Sequence, residues 1–347
     1  MLSKLIDSER LIHSTKTAIA CLIGYLVTKL FDFPVDQWII ISIIVVMCTQ
    51  IYVGSVFQKG YLRFLGTFAG CLIASFTLLY VGISNVTIAV TISISAFLFS
   101  FVTTGRENIS YIGTLGATTT AIVLLSKDPS LTVAAERFIE IGTGIFIATL
   151  VSQFVLPIHA TTHLHRAQIN TLIELRRFYQ VAMIDQQPIE KTIDLDESIV
   201  KALLKQRQLA KESAHELLGF KFNPQYFMQQ LYCEREILRS INFMQKALTF
   251  LQRTGFSLHV ETDYKNFNQA TLKMFDELIQ TMETGSPPKD TIYPPVTEDF
   301  VAAIKQHQEN LSADNLRYIQ GLLFSAEMFV LSLAKLADLH HIPRQNT

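Results

Sequence analysis

The stretches RFLGTFAGCLIASFTLLYVG (residues 63–82) and RFIEIGTGIFIATLVSQFVLP (residues 137–157) decide the fold. Each opens on an arginine and runs on as an almost uninterrupted apolar segment. Arg63, Gly70 and Ala74 stand at offsets 0, 7 and 11, and Arg137, Gly144 and Ala148 repeat those offsets 74 residues later. On a helix, these offsets return to one face, so each triple forms a stripe of one charge followed by two small residues. A bilayer core requires about 20 predominantly apolar residues per helix. A cation within such a helix is costly and is usually retained for function.

Working outward from the two stretches, six apolar segments are predicted to span a membrane, at about 15–31, 37–54, 62–82, 86–103, 110–126 and 138–157. Trp38 and Tyr52 mark the ends of the second, as interfacial aromatics do. The charge distribution divides the chain near Pro157: residues 1–157 hold 17 charged residues and residues 158–347 hold 42. The expected organisation is therefore a membrane module over 1–158 and a helical, water-soluble region over 159–347. The first apolar run ends in Lys29-Leu-Phe-Asp-Phe-Pro34, which lacks the small-residue site of a cleaved leader.

Orientation follows from the basic residues of short loops. With an inside N-terminus, the cytoplasmic side receives Lys4, Arg10, Lys16, Lys59, Arg63, Arg106, Arg166, Arg176 and Arg177, and the outside receives only Lys29, Lys127 and Arg137. Both termini are thus expected in the cytoplasm. Adding 74 to spans one to three lands on or near spans four to six. Three-span halves related in this way form a 3+3 inverted repeat, with Arg63 and Arg137 near opposite mouths of a central path. The competing reading is that both arginines snorkel to headgroups.

The small residues Gly66, Gly70 and Ala74 are spaced by four, as are Gly144, Ala148 and Ser152. Such stripes allow helix backbones to approach closely, so helix packing is their expected role. If the third and sixth helices pack together through them, the arginines are held near one axis. Glu140, one turn after Arg137, is the best-placed carboxylate of the membrane half; it reads as a counter-ion to Arg137, with proton relay as the alternative. Arg106, followed by Glu107 in a tight loop, is a third cation of the candidate path, or a solvated hairpin tip.

Trp38, then Gly54, then Arg63-Phe-Leu-Gly66-Thr67-Phe-Ala-Gly70, resembles the third-helix signature of the fusaric acid resistance (aromatic acid exporter) family. Arg137-Phe-Ile-Glu140-Ile-Gly-Thr-Gly144, ending at Pro157, is similar to that family's sixth helix. The resemblance covers about residues 10–160. It implies an all-α, six-helix module of the bacterial inner membrane that exports small organic anions, often aromatic carboxylates. Many members carry two such modules in one chain, so a single module implies a homodimer. A periplasmic adaptor protein is a further candidate partner, although the short outer loops leave it little docking surface. A passive anion channel of the same fold, and a membrane-anchored scaffold without transport, remain alternatives.

Residues 160–347 read as long amphipathic helices, forming a bundle of five or six. Asp194-Leu-Asp-Glu197 resembles a capping box, Asn223-Pro224 reads as an N-cap followed by proline at the first helical position, and Thr297 and Ser312 are further candidate caps. The stretch from Gly321 to Leu339 is apolar, but Glu327, Lys335 and Asp338 interrupt it, so it is expected to be a bundle helix rather than a seventh span. Lys201, Lys205, Arg207 and Lys211 alternate with Glu197, Glu212 and Glu216 and read as a solvated helix surface. His159 and His163 are four apart, and His165 falls on another face; they read as interfacial side chains rather than metal ligands. The four cysteines show neither disulfide nor zinc spacing. The net charge of -1 gives no cue for nucleic acid. No Walker loop, HExxH, nucleophile elbow or Rossmann glycine pattern occurs, so neither an enzyme nor a cofactor is expected.

Overall fold

A computed structural model describes residues 8–31, 37–105, 109–216, 222–253, 262–286, 295, 298, 301 and 313–340. Among them every regular element is helical. The helices are α1 (Ser8–Leu30), α2 (Gln37–Met47), α3 (Val53–Phe76), α4 (Asn85–Gly105), α5 (Ser110–Leu124) and α6 (Leu131–Phe154), then α7 (Ala160–Tyr179), α8 (Ile193–Ser213), α9 (Pro224–Arg253), α10 (Thr262–Thr284) and α11 (Ala313–Leu339). Wider π turns at Thr77–Val81 and Gln180–Ile184 extend α3 and α7. The chain divides into two compact units, one formed by 1–160 with 212–219 and the other by 161–211 with 220–347. Arg106 and Glu107, the candidate caps Thr297 and Ser312, and most of the proline-rich loop before Pro295 lie outside the described residues.

In the first unit, α1, α3 with its π turn, and α4 are long and apolar enough to cross a membrane. Helices α2 and α5 are apolar but shorter, at 11 and 15 residues. Helix α6 has 24 residues. Four expected boundaries shift. The first helix, expected from about 15, starts at Ser8. The second span, expected to reach 54, is helical only to Met47. The chain then turns, Tyr52 is extended, and α3 starts at Val53, ten residues before Arg63. Helix α6 starts at Leu131 because the Ser130 hydroxyl accepts from the Val133 amide at 3.3 Å and so caps a free N–H. It ends as Leu156 turns into the left-handed region (φ 46°) ahead of Pro157.

Packing in this unit is reciprocal. Helix α3 packs on α5, and α6 packs on α2. A Cβ at Gly66 would stand 2.7 Å from the Ile112 carbonyl oxygen, and one at Gly70 would stand 2.6 Å from that of Gly116. Thr120 fastens the same contact by donating to the Gly70 carbonyl at 3.2 Å. In the other half, a Cβ at Gly144 would stand 2.6 Å from the Ile39 carbonyl oxygen. Each third helix thus packs its glycines on the second helix of the opposite half, a reciprocity that matches the 74-residue repeat of the sequence. The two glycine stripes therefore do not face each other. Helices α3 and α6 meet instead along another face, where the Phe64 and Phe138 rings are 5.0 Å apart and Gly60 faces Ile145. Ala74 is buried with Val123, Leu124 and Ala134, and Ala148 with Ala20, Ile39 and Ile43. Ser152 is buried as well. Helix α4 packs on α5 and leaves Val86, Phe97 and Phe101 exposed, an apolar surface suited to lipid.

In the second unit, α7 to α11 enclose an apolar core. Tyr179, Phe275 and Phe329 cluster there, and the Tyr179 hydroxyl donates to Asn268 at 2.6 Å. Helix α11 buries Ile319, Leu322, Ala326, Phe329, Leu333 and Leu336 at helical spacing and exposes Glu327, Lys335 and Asp338, as a bundle helix does. Asn223 caps α9, its side-chain oxygen accepting from the amides of Gln225 (3.0 Å) and Tyr226 (3.2 Å). Helix α8 begins at Ile193, so Asp194 lies within its first turn and is not the cap. The core also holds a polar cluster. Glu234, with no exposed surface, accepts from Gln206 (2.8 Å) and Gln230 (2.9 Å), and Gln206 also donates to Thr171. Burial pushes the Glu234 carboxyl up to about 7, against the two amide donors, which lower it.

Candidate functional site

The shifted helix starts change where the charges lie. Arg63 is the eleventh residue of α3, about 15 Å along the helix axis from its first. Glu140 is the tenth residue of α6, about 13 Å along. Both fall in helix interiors. Arg63 therefore does not open its helix, and the membrane half does hold a mid-helix carboxylate. Hydropathy places the starts too late because charged and small residues dilute the first two turns of each helix.

The inverted repeat predicts one arginine at each mouth of a path. In the structure both arginines reach the same helix, α2. The Arg63 guanidinium donates to the Ser42 hydroxyl at 3.2 Å. The Arg137 guanidinium lies over the Trp38 ring, 4.3 Å from its centroid. Trp38 and Ser42 are one turn apart, so α2 presents both contacts within about 6 Å of its axis. The Ser42 side chain also abuts Gly144, where a Cβ would stand 2.7 Å from it.

Arg63 is only 5 % exposed, yet its Nε hydrogen-bonds to no described residue. Thr67, one turn further along α3, is also buried, and its hydroxyl makes no bond to a described residue. Glu140 is fully buried and lies 3.7 Å from Arg137 at the i, i+3 spacing. Two guanidinium groups and one fully buried carboxylate thus lie along α2. An anion with two oxygens matches the fork geometry of a guanidinium.

Two further cations, which loop-charge counting assigns to the cytoplasmic surface, lie against the end of α2. Lys16 is fully buried, and its ammonium donates to the Ile51 carbonyl oxygen at 3.1 Å. Lys59 donates to the Thr49 hydroxyl. Both hold the turn after α2, where the helix leaves carbonyls exposed and its dipole favours cations. In order along α2 and its following turn, the partners are Trp38 for Arg137, Ser42 for Arg63, Thr49 for Lys59 and Ile51 for Lys16. The polar His13-Lys16 face of α1 is the available signal for Lys16. Its partner is 35 residues away, beyond any local pattern.

Gly54, another residue of the signature, permits a close approach within the same unit. A Cβ there would meet the Glu212 carbonyl oxygen and the Glu216 side chain. The Glu216 carboxylate accepts from the Ala160 amide and lies 3.7 Å from His159 Nδ1. His165 pairs elsewhere, with the Met282 carbonyl at 2.9 Å. Among the described residues, no three His, Cys, Asp or Glu side chains are grouped to hold a metal ion.

The chain is similar to known bacterial proteins, an inner membrane protein among them. The inner membrane protein YeeA of Escherichia coli (strain K12) is 28% identical over 173 residues, covering 50% of this chain and 48% of that protein. A UPF0421 protein of Bacillus cereus (strain ATCC 10987 / NRS 248) is 26% identical over 250 residues, 69% of this chain and 63% of its own length. Another, from Bacillus thuringiensis subsp. konkukian (strain 97-27), is 23% identical over 317 residues, 88% and 78% of the two chains. The chain thus spans about half the length of the first relative. The Fusaric acid resistance protein family matches residues 10–218, more than half of the chain, and includes the Glu212–Glu216 segment that docks at Gly54. The chain is a membrane protein and belongs to the Fusaric acid resistance protein family.

Proposed function

We propose that the chain is an inner-membrane transporter that exports small organic anions, with aromatic carboxylates as the substrate class. It works as a homodimer with both termini in the cytoplasm. The observation that carries this reading is the convergence of Arg63 and Arg137 on adjacent turns of α2, inside a helical, apolar unit. Arg63 offers its buried Nε together with the guanidinium edge that reaches Ser42. Arg137 is oriented by the Trp38 ring and balanced by Glu140. The lysines at the end of α2 draw anions toward the site from the cytoplasm. Family membership supports efflux as the activity.

The buried carboxylate beside Arg137 favours a carrier over a passive channel. An anion that displaces Glu140 from Arg137 leaves a carboxylate that can take up a proton, which couples binding to a pH gradient.

Flux in proteoliposomes tests this reading. Benzoate, 2-naphthoate and an aliphatic acid are compared for the native chain and for Arg63→Gln with Arg137→Gln. Loss of flux in a folded, inserted double variant is the expected result. Flux that survives both substitutions rejects the arginine path. Flux that follows voltage alone points to a channel, and no flux from folded native protein points to a scaffold.

A further inference from the structure

A second candidate site lies in the other unit, between α8 and α9. These helices run antiparallel, with Asp196 beside Asn242 and Gln206 beside Glu234. They leave an open groove with a volume of about 510 Å³, within the size range of small-molecule sites. Its floor is apolar: Leu203, Leu231 and Leu238 are nearly covered by the bundle. Its walls are apolar but exposed: Val200 is 42%, Leu204 62% and Met228 54% accessible.

Three arginines border this apolar surface, Arg207 from α8 and Arg235 and Arg239 from α9. Arg239 pairs with Glu236 at 2.7 Å. Arg207 and Arg235 make no hydrogen bond or ion pair with any described residue. The acidic residue of the lining, Asp196, sits at one end, where it accepts from Asn242 at 2.7 Å. The groove thus combines a hydrophobic trough with two uncommitted guanidinium groups. Arg207, read from sequence as part of a solvated face, borders this trough.

We propose that the α8–α9 groove binds an amphipathic organic anion: an apolar, aryl-sized body with one carboxylate head. The body lies on Leu203, Leu231 and Leu238. The carboxylate meets Arg207 and Arg235, whose planar forks suit two oxygens. This assignment stands on the groove's own residues and does not require the transport reading. Where both hold, the second unit senses the class of molecule that the first one moves.

The test is calorimetric titration of the full-length protein in lipid nanodiscs with 2-naphthoate, and with 2-naphthylmethanol as the uncharged counterpart. Saturable binding of 2-naphthoate is expected in the native chain and in Arg63→Gln with Arg137→Gln, which separates this site from the membrane arginines. Arg207→Gln with Arg235→Gln weakens it roughly ten-fold or more, the loss expected from one charge-assisted contact. Met228→Trp, which fills the trough and keeps every charge, also weakens it. Unchanged affinity in both of these variants, or binding of the alcohol as tight as that of the acid, overturns the proposal. So does the absence of saturable carboxylate binding. A change in oligomer mass in the arginine variant, with no carboxylate binding to the native chain, assigns the face to a second copy of the protein instead.

Discussion

Gly144 rests on Ile39: a Cβ at position 144 would stand 2.6 Å from the Ile39 carbonyl oxygen, closer than real side chains come to backbone. The neighbouring residues on α2, Trp38 and Ser42, hold the two arginines. One glycine therefore sets the distance between α6 and the helix on which both cations converge. Gly144→Ala must push α2 away. It is expected to cost about 1–3 kcal/mol, as overpacking does, and to reduce anion flux through the displaced Ser42 and Trp38. Gly142→Ala is the control, since its nearest atom, on Phe64, is 3.9 Å away. Thermal unfolding and flux of the two variants should differ clearly; equal behaviour would show that this contact does not govern α2.

In the proposed carrier, Glu140, 3.7 Å from Arg137, competes with the transported anion for that arginine. Glu140→Gln removes the carboxylate and keeps its shape. Stronger anion binding is expected, seen as a several-fold lower KM for benzoate, since the attraction of Arg137 is no longer offset. Slower turnover should accompany it, because release loses its competitor. Glu140→Gln should also abolish any stimulation by a pH gradient. An unchanged KM would place Glu140 outside the path.

The Glu234 cluster makes the second unit sensitive to pH near neutrality. Its carboxyl is pushed up to about 7 by burial, against the ordinary value of 4.5. The folded state therefore holds a proton that the unfolded chain releases. The resulting stabilisation is fully present below pH 4.5 and is lost as pH rises through about 7. It amounts to about 3 kcal/mol at most. Glu234→Gln should flatten this slope between those values, as read by denaturant unfolding of the full chain at several pH values. A slope equal to that of the native chain would assign the pH dependence to other groups.

Much of this architecture was legible in the sequence. Apolar runs, the Arg137–Glu140 spacing and the Asn223-Pro224 cap are local features, and local chemistry decides them. The boundaries were not. Hydropathy begins a span where charge ends, whereas a helix begins where a cap and backbone permit. Ser130 starts α6 seven residues before Arg137, and Tyr52 starts α3 well before Arg63. The site itself was half legible. The paired offsets of Arg63 and Arg137 flagged both residues, but their meeting on α2 depends on contacts across 21 and 99 positions of sequence. The same holds for Lys16, which resembles a surface lysine until the Ile51 carbonyl is placed beside it.

Trp38 is the only tryptophan in the chain. Its indole lies under the Arg137 guanidinium, so the tryptophan fluorescence of the whole protein, excited selectively over that of its tyrosines, originates at the candidate anion site. An anion arriving at Arg137 should change the emission, and Arg137→Gln should abolish that response while leaving the chain fluorescent. Occupancy of the site can thus be followed optically in unlabelled protein, even during turnover.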